Sequence, residues 1–108
     1  MSTVTDNQTI EKLSSMLIDT SLPLKLRFRI LFTLKNLDSQ GHKQEKSSKV
    51  VDAISQAFQD TSALLKHECA YCLGQMGNQY AIDKLLHVLN DNNEDAMVRH
   101  EAGLNKSM

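Results

Sequence analysis

Apolar residues along the chain recur at three- and four-residue spacing rather than in alternation, the periodicity of amphipathic helices. Ile10, Leu13, Met16 and Leu17 mark a first short helix. A second covers 24–37, opened by Ser21 and by Pro23, a residue favoured in a first helical turn. The polar residues 1–9 read as a disordered N-terminal tail. Asp38-Ser39-Gln40-Gly41-His42-Lys43-Gln44-Glu45-Lys46 has no apolar member and reads as a solvated loop. Beyond it the pattern predicts helices over 48–58, 62–76 and 80–89, and a sixth from near Asp95 into the C-terminus. One proline and four glycines in 108 residues argue against a turn-rich sandwich or barrel, so the fold class is all-α.

Six helices in this order form three outer–inner pairs, over 10–37, 48–76 and 80–108. The second helices align when Leu26-Arg27-Phe28-Arg29 is set under Leu65-Lys66-His67-Glu68 and Val98-Arg99-His100-Glu101. In each copy an apolar and a basic residue precede the final dipeptide, and a residue of helix-capping type stands seven positions before its first member: Ser21, Asp60 and Asn93. Positions 28, 67 and 100 thus recur at the period of a HEAT-type helical-repeat solenoid, the polar loop lengthening the first interval.

Within this register, His-Glu occurs at 67–68 and again at 100–101. With four histidines in the chain, well under one such dipeptide is expected by chance. The fold does not require the pairs, because the first repeat carries Phe28-Arg29 in their place. At about 100° per residue from Leu65, Cys69, Cys72, Leu73 and Met76 share a core stripe. His67 and Glu68 fall at about 200° and about 300° from it, on a second face with Leu64, Tyr71, Gly74 and Gln75. A solvated polar face or a local ion pair would also account for them. The chemical reading is metal binding, since imidazole with carboxylate suits a first-row metal such as iron. Adjacent residues diverge by about 100° on a helix, so the remaining ligands must come from neighbouring repeats.

The other candidate features change little. Cys69-Ala70-Tyr71-Cys72 lies mid-helix on the apolar stripe and reads as core packing. His42 in the polar loop and His87 in the fifth helix read as surface residues. Gly74 and Gly77 read as small residues that allow close helix approach on an inner helix. Neither a Gly-rich phosphate loop nor a nucleophile elbow is present. A net charge of −1 removes the electrostatic footprint of a nucleic-acid binder or polybasic membrane anchor. No apolar run reaches the ~18 residues of a membrane span. With two cysteines and no secretory leader, the expected location is cytoplasmic.

The segments 23–34, 54–58, 62–76 and 97–103, the third above all, closely resemble the N-terminal half of the deoxyhypusine hydroxylase family. The resemblance runs from about residue 10 to residue 103. It implies a HEAT-repeat di-iron monooxygenase that uses molecular oxygen to hydroxylate the deoxyhypusine side chain of translation initiation factor 5A, in hypusine biosynthesis. It further implies four His-Glu pairs, two from each of two pseudo-symmetric halves. Carried over, the pairs here are His67-Glu68 and His100-Glu101, with the imidazoles as iron ligands. The carboxylates of Glu68 and Glu101 would ligate iron or hold the substrate amine. Aligning the fourth and sixth helices on their His-Glu dipeptides sets Asn105 and Lys106 where Cys72 and Leu73 stand, so the last repeat is expected to be truncated. The expectation is thus a fragment or short form of such an enzyme, with self-association through an uncovered C-terminal helix. The alternative is a metal-free HEAT-repeat interaction module without catalytic activity.

Overall fold

A computed structural model of the chain describes residues 3–38, 44–91, 94 and 96–105. It contains six α-helices: α1 (Thr3–Leu17), α2 (Leu24–Asp38), α3 (Gln44–Ser55), α4 (Ala63–Met76), α5 (Gln79–Leu89) and α6 (Ala96–Asn105), with a 3-10 turn at Gln56–Gln59. The helices pair as α1–α2, α3–α4 and α5–α6. Within one layer α1 packs on α3 and α3 on α5; in the other, α2 packs on α4 and α4 on α6. The result is a two-layer solenoid of 41 × 32 × 16 Å.

The shared core lies between the layers. Leu17, Leu31, Leu34, Val50, Val51, Ile54, Leu65, Leu73, Leu85 and Val98 are fully buried there. Cys69 and Cys72 are buried in the same core as free thiols. Burial pushes the Cys72 thiol up to about 12, against the opposing charge of Lys35, and raises Cys69 well above the ordinary thiol value, aided by its neighbour Cys72. Both positions therefore hold neutral, close-packed sulfur rather than reactive thiolate.

Several boundaries differ from the periodicity, for local reasons. Residues 3–9, expected to be part of a disordered tail, belong to α1. Once Ile10 and Leu17 are docked, adding polar residues to an existing helix costs little, because nucleation is the expensive step. For the same reason α3 starts at Gln44, inside the expected loop. His42 and Asn93 lie outside the described residues, as does Lys106. Gly77 does not serve close helix approach; it ends α4 as the C-terminal cap, at φ 67°, where its N–H reaches the Leu73 carbonyl. Gly74 is buried rather than on the open face.

The capping-type residues also serve differently. Asp-Thr-Ser occurs at 19–21 and again at 60–62, and in both copies the aspartate Oδ1 accepts the serine backbone N–H, at 2.9 and 2.8 Å. In the second copy the Ser62 hydroxyl oxygen is left to accept the Leu65 N–H and caps α4. In the first, the Ser21 hydroxyl donates to Asp19 instead, and α2 begins beyond Pro23, whose carbonyl accepts from Leu26 and Arg27. Asp60 is not a cap but the partner of Arg27, both side chains being almost completely buried. Arg27 Nε also donates to the carbonyl of Leu17, the last residue of α1, at 2.8 Å.

Burial alone would raise the Asp60 carboxyl. The Arg27 hydrogen bond, the Ser62 N–H and the charges of Arg27 and Lys66 outweigh it and hold Asp60 below the ordinary aspartate value. A carboxyl depressed in the folded state stabilises the fold above its unfolded value near 3.8, and the benefit is lost as pH falls through the lower folded value. Thermal stability should therefore fall below about pH 4, with a smaller acid-limb loss in Asp60→Asn. Arg27→Met, which strands the buried carboxylate, should cost about 3–5 kcal/mol in denaturant unfolding at neutral pH. Alkylation of Cys69 and Cys72 should be slow in the native chain and rapid only in denaturant.

Candidate functional site

The open face of the inner layer is set by how α4 and α6 rotate onto the core. Leu65, Cys69, Cys72 and Leu73 fix α4; Val98 and Ala102, in the positions of Leu65 and Cys69 one repeat on, fix α6. Each helix then presents its His-Glu dipeptide away from the core. Every inner helix has two flanks, and the residues of the dipeptide diverge towards different ones. His67 lies on the flank of α4 that meets α6, and Glu101 on the flank of α6 that meets α4.

Consequently His67 Nε2 stands 2.8 Å from Glu101 Oε1, a contact between successive repeats. The other ring nitrogen, Nδ1, is 3.8 Å from Glu68 Oε1. His67 and Glu68 are partly exposed and Glu101 more covered. His100 is exposed. The structure thus sets His67 against Glu101, with Glu68 beside the other nitrogen of the ring, and leaves His100 apart from that contact. His87 is exposed on α5, away from these residues.

Around the cluster the face is apolar and open. Leu64 and Met97, at equivalent positions one turn before the two histidines, are 57% and 68% exposed. Tyr71 is also exposed, and the Lys35 ammonium of α2 lies 5.7 Å from its ring centre. In the first repeat Phe28 is half-buried and Arg29 exposed at the places of His and Glu.

The cluster matches a first-row metal in kind, since neutral imidazole and carboxylates are its usual donors. The 2.8 Å between Nε2 and Oε1 is a hydrogen-bond distance, which sets an imidazole and a carboxylate from successive repeats side by side. Among the described residues, however, no group of three or more His, Cys, Asp or Glu side chains is arranged to hold a metal. These residues therefore fit part of a ligand set.

The basic residue before each dipeptide is visible in the sequence pattern, but its task is visible only in three dimensions. Arg27 binds Asp60, Lys66 Nζ reaches Glu94 Oε1 at 2.6 Å, and Arg99 Nε donates to the Leu89 carbonyl at 3.1 Å. Among the described residues no helix is long and apolar enough to cross a membrane.

A family model of HEAT repeats matches residues 10–105. Deoxyhypusine hydroxylase of Rattus norvegicus is 48% identical over 96 residues, 89% of this chain and 29% of that protein. The Neurospora crassa enzyme is 51% identical over 94 residues, 87% of this chain and 29% of its own length. A solved structure of human deoxyhypusine hydroxylase in complex with glycerol superposes with a TM-score of 0.80 at 47% identity, covering 93% of this chain and 32% of that one. The chain thus spans less than a third of the proteins it matches. It belongs to the HEAT-repeat family, and its similarity within that family is to the deoxyhypusine hydroxylases.

Proposed function

We propose that this chain provides two His-Glu pairs to an iron- and oxygen-dependent hydroxylase acting on the deoxyhypusine side chain of translation initiation factor 5A in the cytoplasm. One observation carries the reading: the contact between His67 and Glu101 across adjacent inner helices, in a chain about half identical to deoxyhypusine hydroxylases. A solvated polar face would not need both pairs at the same repeat position.

His67, Glu68, His100 and Glu101 are the residues that would hold the metal. Iron, when bound, supplies the oxygen activation that protein side chains lack. The side chains themselves account for binding and orientation. Helix α4 fixes the His67 ring, whose two nitrogens face two different carboxylates. Glu68 and Glu101 also place negative charge on the face, where a long side chain ending in an ammonium group is attracted. Leu64 and Met97 offer apolar contact to its methylene stem.

Anaerobic loading with ferrous iron followed by desalting tests the reading. The chain should retain iron, and the His67→Ala, His100→Ala double variant should lose it. Equal iron in the two proteins, with both folded by circular dichroism, would favour the metal-free interaction module instead.

A further inference from the structure

We infer that the Lys66–Glu94 ion pair is a positioning clamp for this face, setting where His67 stands relative to Glu101. Its importance for metal binding rests on the function proposed above; the geometry does not. Lys66 immediately precedes His67. Glu94 lies on the approach to α6, anchored by its own N–H to the Asp91 carbonyl at 3.0 Å. The pair therefore joins the helix carrying the first motif to the segment leading into the second, and it does so one residue from His67. At 2.6 Å, with side chains 14% and 5% exposed, it is largely shielded from water, unlike an exposed pair that salt would screen.

Comparison of the three repeats separates clamping from general stability. Arg27, the counterpart of Lys66 in the first repeat, makes the same forward link to Asp60 but precedes Phe28-Arg29, which carries no ligand chemistry. Arg99 turns back to Leu89 of its own helix pair. Among these three positions, only Lys66 spans the interface on which the two His-Glu pairs meet. Shortening or neutralising the link should let α4 and α6 slide or splay. A displacement of an ångström is enough to separate Nε2 from Oε1, and outer contacts of this kind typically change metal affinity by about 10–100-fold.

The test compares Lys66→Met, Glu94→Gln and Lys66→Arg with Asn78→Ala. Asn78 caps α5, so its loss should lower stability without touching the α4–α6 link. The first readout is metal-free: nuclear Overhauser contacts between the His67 ring protons and the Glu101 γ-methylene. They should be present in the wild type, in Lys66→Arg and in Asn78→Ala, and at least several-fold weaker in Lys66→Met and Glu94→Gln. The second is cobalt(II) affinity, which should fall about tenfold in the same two variants and recover in Lys66→Arg. Contacts that survive in folded Lys66→Met and Glu94→Gln, or that fade equally in Asn78→Ala, overturn the clamp. Absence of cobalt binding in the wild type overturns the proposed function, while the metal-free contacts still decide the clamp.

Discussion

Arg27, Lys66 and Arg99 occupy one position of the repeat, and each turns a positive charge away from the open face into the joints between helices. Arg27 ties the end of α1 and the start of α4 to α2, Lys66 ties α4 to the approach to α6, and Arg99 ties α5 to α6. In two cases the acceptor is the last carbonyl of an outer helix, a group left without an intrahelical partner. Burial makes these links demanding, because a charge stranded in the core costs more than a surface charge. They therefore tolerate few alternative arrangements of the helices, and the following dipeptide inherits that restriction.

The inner face inherits a direction as well. Because adjacent residues diverge around a helix, histidine and glutamate of one dipeptide serve different flanks. The contact that results is diagonal, His67 with Glu101, rather than histidine with histidine. A ligand set built on such a face draws on successive repeats, and no single helix could supply it. His100, at the position of His67 one repeat on, is exposed.

The all-helical class and the buried stripe of α4 were legible in the sequence because both depend on apolar spacing, and the three-repeat register because an apolar and a basic residue recur ahead of each aligned dipeptide. The two His-Glu pairs were legible because they break the pattern of the first repeat at a position the core does not dictate. Other features depend on competition between polar partners, which spacing does not encode. Asp60 has the composition of a cap, yet the nearby buried guanidinium claims it, and Ser62 takes the capping role. Helix ends at Thr3 and Gln44 were missed because polar residues extend a docked helix as readily as they form a loop. Apolar spacing placed His67 and Glu68 on a face away from the core, and the repeat alignment extended this to His100 and Glu101, but neither could show which residues would meet across the joint.

The central claim is that two repeats build one site. A double-mutant cycle on metal affinity with His67→Gln and Glu101→Gln tests it most directly. If the two residues act on one ion, each single variant loses nearly as much affinity as the double, leaving a coupling of about tenfold or more, ~1.4 kcal/mol. Losses that simply add, with no coupling between α4 and α6, would contradict the account.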